Sequence, residues 1–329
     1  MAKIFENGFE IKKEMLKNSE ALKENLSVFI KETVRNQFRK DGIVIGVSGG
    51  VDSAVIAALA VDALGRDRVH GLILPEKESS PSSRELAMDL CRALKIHFEE
   101  VPITPMLESF GIYSRKEDLI RELFPSYDPE IHTTSLTRPP LIAAGKTLNI
   151  PSLVLLKNRK AIGTKRLSAS QFLYVLSLQN VKQRTRMIIE YMHAEKMNYA
   201  VCGTTNKTEL LTGFFVKYGD GGVDLEPIAN CYKSQVYKLA ELLHIDPRII
   251  SRSPSPDTWS HFTSDEEVSL RVSYDILDQL LYAEENSLPP EIVQQSTKLD
   301  LQQIEWANKH IISLKNAARV LQVSPPVFI

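Results

Sequence analysis

The chain has 329 residues, a formal net charge of −1 and 25% charged residues, enough length to bury one large α/β core. A near-neutral charge gives no general pull toward nucleic acid or anionic membrane, and no apolar run approaches the roughly 20 residues of a membrane span. The mixed-charge N-terminus is no secretory signal, and Cys91, Cys202 and Cys231 are too isolated for a zinc site or a disulfide framework, so a reduced, cytoplasmic protein is expected.

Residues 5–40 carry Leu22, Leu26, Phe29, Ile30, Val34 and Phe38 at helical spacing, and Asp41-Gly42 ends that helix. The β-branched run 43–47 predicts a buried strand, and residues 54–64 a helix. Between them lies Ser48-Gly-Gly-Val-Asp-Ser53. A strand, a two-glycine turn and a helix start form an anion site, because inward-pointing N–H groups and the helix N-terminus attract phosphate. Ser48 and Ser53 add hydroxyls. Asp52 would repel phosphate unless a hard cation such as Mg2+ sits between them. The stretch fits neither the Walker loop nor the dinucleotide glycine motif.

Residues 69–74 predict a second strand, 75–81 a loop, 83–94 a helix and 97–103 a third strand. Alternation of strands and helices implies right-handed crossovers, a doubly wound parallel sheet, and ligands at the carboxyl ends of its strands. That places Leu74-Pro75 near the nucleotide, where Leu74 can pack on adenine or simply end the strand. Residues 111–170 are irregular in pattern and include the basic run from Lys157 to Arg166. An irregular stretch of this length is expected to be an insertion or lid; the run itself is either solvated charge or a surface that closes on phosphate.

Residues 180–196 follow a helical period, and 199–202 read as a buried strand. The strand opens into Gly203-Thr-Thr-Asn-Lys-Thr-Glu209, followed by Phe214-Phe-Val-Lys-Tyr-Gly-Asp-Gly-Gly-Val-Asp224. Two aromatics, Lys217, Asp220 and Asp224 in one glycine-rich loop favour a polar ligand pocket over a plain surface turn. Residues 233–243 predict a helix, 254–258 a rigid turn, Ser264 to Glu267 a capping box, and 301–321 one or two further helices.

The stretch Ser48 to Ser53 resembles the pyrophosphate loop of the N-type ATP pyrophosphatases. Together with Asn180-Val-Lys-Gln-Arg-Thr-Arg-Met187, the two stretches from Gly203 and Phe214, Tyr232-Lys-Ser-Gln-Val-Tyr237, Pro254-Ser-Pro-Asp257 and Ser273-Tyr-Asp275, it resembles ammonia-dependent NAD synthetase, in that family's order and over most of the chain. The resemblance implies one ATP-pyrophosphatase domain of the adenine-nucleotide hydrolase type, a doubly wound sheet with additional C-terminal helices. It implies that the nicotinate carboxylate of deamido-NAD is adenylated by ATP and captured by ammonia, giving NAD, AMP and pyrophosphate. It puts Asp52 and Glu209 on Mg2+. It puts Gly46, Ser48, Gly49, Gly50, Ser53, Leu74, Thr204, Lys233 and Ser255 on ATP, with Asp52, Lys233 and Ser255 carrying the catalysis. Asn180, Arg184, Phe214, Lys217, Asp220 and Asp224 fall where the family binds deamido-NAD. It further implies a homodimer, with ammonia free or supplied by a separate glutaminase, since nothing before Lys40 could fold as an amidohydrolase.

Three departures stand out: Ser255 where threonine is usual, Ile73 where relatives carry an arginine, and the length of residues 111–170. A related ligase for another carboxylic acid is the first alternative. A non-catalytic nucleotide-binding protein has little need of both Asp52 and Glu209, and a tRNA-modifying pyrophosphatase fits poorly with neutral charge and no cysteine pair.

Overall fold

The computed structural model describes residues 10–141 and 149–328; the start of the first expected helix, before residue 10, lies outside them. That expected helix is two: α1 (Ile11–Leu16) and α2 (Ser19–Glu32), the second continuing as a π turn over Thr33–Gln37. Leu26, Ile30 and Val34 are buried on the predicted stripe, while Phe29 remains 45% exposed.

The central sheet starts with β1 (Gly42–Gly46), α3 (Val51–Leu64), β2 (Val69–Ile73), α4 (Pro81–Leu94) and β3 (His97–Glu100). Glu100 ends the third strand earlier than its apolar pattern suggested, since Ile103 already precedes the next helix. The chain then runs through α5 (Thr104–Ser109), α6 (Ile112–Leu123), β4 (His132–Thr137), β5 (Ser152–Lys157), β6 (Lys160–Arg166) and α7 (Ala169–Met197), and returns to the sheet as β7 (Tyr199–Val201). The strand order β3-β2-β1-β7 is parallel throughout, with Ile43 opposite Val69 and Ala200. The crossovers therefore leave β1 in opposite directions, making its carboxyl end the switch point where such sheets bind ligands.

Side chains of β1 alternate between two cores. Ile43 and Ile45 pack with α2, α3 and α9 (Lys233–Leu242), whereas Val44 packs with Leu72, Ile189 and Val201 beneath α7. This two-sided burial is why β1 reads as a continuous apolar run. The middle of α3 is buried all round, and its alanines at 54, 57, 58 and 60 permit close approach of its neighbours.

Of residues 111–170, those described (111–141 and 149–170) include β4, β5 and β6, which form an antiparallel sheet. The β5–β6 hairpin turns at Asn158 and Arg159, both with positive φ (50° and 62°), as a two-residue turn of this hand requires. Leu136, Leu153, Leu155, Val175 and Trp259 form its core with α6. The remaining helices are α8 (Lys207–Thr212), α9, α10 (Pro247–Ile250), α11 (Tyr274–Glu285), α12 (Pro290–Thr297) and α13 (Leu301–Gln322). α13 is one helix, and with α1, α11 and α12 it builds a separate core around Leu277, Leu280 and Ile311. No helix among the described residues is long and apolar enough to cross a membrane.

Candidate active site

A cavity of about 800 Å³ opens at the carboxyl ends of the parallel strands. Its floor is the turn from β1 into α3. Gly49 has φ +79°, and a Cβ there would come within 2.3 Å of the Ser83 carbonyl oxygen, so neither backbone nor space admits a side chain. Ser48 Oγ accepts from the Gly50 N–H at 3.3 Å and lies 3.1 Å from Ser53 Oγ, which donates to the Gly50 carbonyl at 3.1 Å. These bonds hold the two hydroxyls at the start of α3. Gly50 is the N-cap residue and Asp52 lies one residue inside the helix, so its carboxylate is not the helix cap.

The partners of the Asp52 carboxylate come from distant parts of the chain. Asp52 Oδ2 accepts from Lys233 Nζ at 2.5 Å, and Oδ1 from Asn206 Nδ2 at 3.0 Å. Lys233 Nζ also stands 3.6 Å from Glu209 Oε1 and over the Tyr274 ring. Glu209 is positioned by a capping box at the start of α8: Asn206 Oδ1 accepts from its N–H, while its Oε2 accepts from the Asn206 N–H. Lys233 opens α9, held by its own N–H donating to Thr208 Oγ1 at 3.1 Å. Asp265 completes the group. Its Oδ2 accepts from Tyr274, while its buried Oδ1 has no hydrogen bond among the described residues.

Three carboxylates thus surround one ammonium. Burial pushes the Glu209 carboxyl up to about 8, with Asp52 adding to the shift and Lys233 opposing it. Burial likewise raises Asp265 to about 6. For Lys233, burial disfavours the charge, but Asp52, Glu209 and Asp265 outweigh it and hold the ammonium protonated. The excess of negative charge, the all-oxygen donor set and the unsatisfied Asp265 Oδ1 suit a hard divalent cation such as Mg2+.

The wall opposite the turn is α7. Arg184 Nε donates to the Lys217 carbonyl at 3.3 Å, and Arg186 Nε to the Leu74 carbonyl at 3.2 Å. Asn180 and Phe214 line the same space. Asp220 Oδ1 accepts from the Val216 N–H at 2.6 Å; burial raises its carboxyl to about 6. Lys217 Nζ donates to the Val323 carbonyl beyond the end of α13. The rim is completed by Thr204 and Ser255. Ser255 Oγ donates to the Thr263 carbonyl, and Asp257 accepts from the Ser80 N–H and from Ser83 Oγ, clasping the 254–258 turn to the start of α4.

Below the rim lies a buried charge network that sequence pattern did not signal. Lys182 Nζ donates to Glu76 at 2.7 Å, Glu78 at 2.6 Å and the Thr258 carbonyl at 2.9 Å, while Lys116 holds Glu78 from α6. It locks the loop after β2, α6, α7 and the 254–258 turn together. Removing one partner from such a network costs about 3–5 kcal/mol, because a charge is left buried alone.

All but two of the expected site residues line the cavity. Gly49 sits behind the wall and acts through its conformation. Asp224 is exposed outside the wall, with one oxygen accepting from the Val201 N–H at 2.8 Å and the other from Tyr191 Oη at 3.1 Å. The basic run takes the first of its two expected forms, solvated charge, and does not close on the cavity. Lys157 ends β5, and Lys160 to Arg166 form β6 at the edge of the small sheet; no side chain of the run lines the cavity. Charges on an unpaired edge discourage association with other strands.

Residues 111–170 reach the cavity instead through Leu136, Arg138 and Asn149. Arg138 lies over Phe172, with Nε buried and lacking a hydrogen bond among the described residues. Arg138, Glu190 and Asp265 went unassigned in the sequence, although the arginine beside two prolines was a visible signal. Glu190 lies under Gly46, where a Cβ would come within 2.2 Å of its Oε1, and burial raises its carboxyl to about 7.

A model of the NAD synthase family matches residues 22–123 and 145–316. The unmatched gap falls within residues 111–170. The chain is 39% identical over 303 residues to an NH3-dependent NAD+ synthetase of Rhizobium rhizogenes, with 91% of each chain covered. It is 40% identical over 262 residues to a Thermotoga maritima protein of the same name, covering 79% of this chain and 85% of that one. Among solved structures, an NH3-dependent NAD synthetase from Campylobacter jejuni shares the fold with TM-score 0.62 and 24% identity, covering 94% of this chain and 99% of that one. An NMN synthetase from Francisella tularensis does so with TM-score 0.66 and 22% identity, covering 94% and 98%.

Proposed function

The chain belongs to the NAD synthase family, and from that premise we propose how its cavity divides the work of ATP-dependent amidation of deamido-NAD to NAD. The nicotinate carboxylate attacks the α-phosphorus of ATP and pyrophosphate leaves. Ammonia then attacks the carbonyl of the acyl-adenylate, and AMP leaves as the amide forms. No protein nucleophile is required. The protein holds two polyanions in line and stabilises charge on the transferring phosphoryl group.

The observation that carries this reading is the convergence of the Ser48–Ser53 turn, Asp52, Glu209 and Lys233 on one side of a cavity whose other wall is α7. ATP lies along Gly46, Ser48, Gly50, Ser53, Leu74, Thr204 and Ser255, with Gly49 shaping the turn. Lys233 exchanges part of its contact with Asp52 for the phosphates. Asp52 and Glu209 would hold Mg2+, which when bound offsets phosphate charge and favours departure of pyrophosphate. Deamido-NAD lies along Asn180, Arg184, Phe214, Lys217 and Asp220, while Asp224 contributes by anchoring the loop to β7 and α7. Arg138 supplies a cation from the insert on a cavity where Ile73 brings none.

The molecule works as a homodimer. Supporting this, α7 leaves Leu173, Ile188 and Met192 more than half exposed although it forms a cavity wall. The three buried free cysteines fit a cytoplasmic, reducing environment. The test is acceptor selectivity. Pyrophosphate release from ATP, Mg2+ and ammonium should be fastest with deamido-NAD. A higher kcat/KM with nicotinate mononucleotide or another carboxylic acid would overturn the assignment of the acceptor.

A further inference from the structure

The face of the sheet beneath α7 carries a second cluster of chemistry-bearing side chains, none of which lines the cavity. His70 on β2, Glu99 on β3 and His193 on α7 each offer one ligand atom within 4.8 Å of the other two. His193 Nδ1 lies 3.8 Å from Glu99 Oε2, and the rings of His70 and His193 stack with centroids 5.9 Å apart. His193 is 8% exposed, whereas Glu99 faces solvent at the mouth of the cluster. Nε2 of His70 is buried and makes no hydrogen bond among the described residues, a cost that a bound partner would relieve. The cluster is built by register: His70 pairs with His97 and Leu72 with Glu99, so alternation puts His70, His97 and Glu99 on one face.

We propose that His70, Glu99 and His193 bind one divalent transition-metal ion, with Zn2+ the expected occupant. Two imidazoles and a carboxylate are a borderline-soft donor set that suits Zn2+ and leaves a fourth position for water; Mg2+ prefers oxygen ligands alone. Metal binding requires neutral imidazole. Burial, with His193 and His97 adding repulsion, lowers the proton affinity of His70 and leaves it neutral near pH 7, although Glu99 opposes the shift. Lys196 adds positive charge nearby, but it is exposed and screened by salt. Coordination would fasten α7 to β2 and β3 one turn from Glu190, which lines the cavity. The metal would therefore act as a clasp on the helix that carries Asn180 and Arg184, separate from the Asp52–Glu209 pair.

The test uses chelator-treated full-length protein, equilibrated with Zn2+ in the presence of excess Mg2+, with bound zinc counted by atomic emission. Wild type should bind one zinc per chain and gain thermal stability from it. Glu99→Gln and His193→Asn should each weaken binding roughly tenfold or more and lose that stabilisation. Glu99 is exposed, so the first variant tests ligation even if the second fails to fold. Asp52→Asn should bind zinc as wild type does. Co2+ in place of Zn2+ should show visible absorption that Glu99→Gln lacks. The proposal is overturned if wild type binds no zinc, if Glu99→Gln binds it as tightly as wild type, or if Asp52→Asn abolishes the binding.

Discussion

Lys233 sets the charge balance of the cavity, with Asp52, Glu209 and Asp265 gathered around one buried ammonium. Glu209 shows what this does to stability. Its carboxyl rises from 4.5 to about 8, chiefly through burial. Between those values the folded chain holds a proton that the unfolded chain has released, so stability falls as pH rises through the window. Glu190, raised to about 7, acts in the same direction. The melting temperature of Mg2+-free protein should therefore fall from pH 5 to pH 8, Mg2+ should oppose the fall near its upper end, and Glu209→Gln should flatten it. A midpoint that rises over this range in wild type would contradict the assignment. Asp52→Asn should lower kcat about 100-fold or more, the scale expected when stabilisation of a charged transition state is lost; wild-type turnover by a folded variant would remove Asp52 from the reaction. Arg138→Met should raise KM for ATP or deamido-NAD roughly tenfold, the worth of one charge-assisted hydrogen bond, with little change in melting temperature. Asp52 was legible because it sits in a local pattern of glycines and hydroxyls, whereas Glu209 was placed at the site by the family resemblance. Asp265 and Glu190 were not legible, since only tertiary packing brings them beside Lys233 and Gly46.

Among the elements, α7 and the insert decide the shape of the site. The helix begins at residue 169, well before the expected start at 180, because Ser168 and Gln171 form a capping box. That Ser-x-x-Gln signal was present in the sequence but was masked by the preceding basic run. Ser168→Ala should cost about 1 kcal/mol of stability, read as a lower denaturation midpoint. The basic run had two readings in the sequence, and the structure separates them. Of the two readings left open, solvated charge or a phosphate lid, the structure matches solvated charge, since the two-residue turn at Asn158-Arg159 folds the run back as an edge strand. Neutralising Lys157, Arg159 and Lys160 together should leave the KM for ATP unchanged, and an increase of several-fold would restore the lid. β1 was easy to place because burial on both faces makes it apolar throughout, whereas the edge strand β3 is polar and partly exposed. The small sheet was hard to place because β6 is exposed along its length and β4 is polar, with His132, Thr133, Thr134 and Ser135 in sequence.

At the scale of the molecule, one sheet supplies the phosphate turn, and the connections that leave and re-enter it supply the other wall. The parallel sheet followed from alternation of strands with helices, as did the carboxyl-end location of the site; the order of its strands was not read from the sequence. Nor was the separate C-terminal core, since amphipathic helices show what they bury but not against which partner. The exposed apolar side chains of α7 leave a testable expectation for assembly. Native mass measurement at micromolar concentration should give twice the chain mass, and Ile188→Glu with Met192→Glu should give monomers of reduced activity; a fully active wild-type monomer would contradict it. The measurement that tests the central claim most directly follows oxygen. Deamido-NAD labelled with 18O in its nicotinate carboxylate is incubated with the protein, ATP, Mg2+ and ammonium, and the products are weighed by mass spectrometry. The account predicts NAD, AMP and pyrophosphate in equal amounts, with one 18O carried from the carboxylate into each AMP. AMP formed without label, or ADP and labelled phosphate in its place, would contradict it.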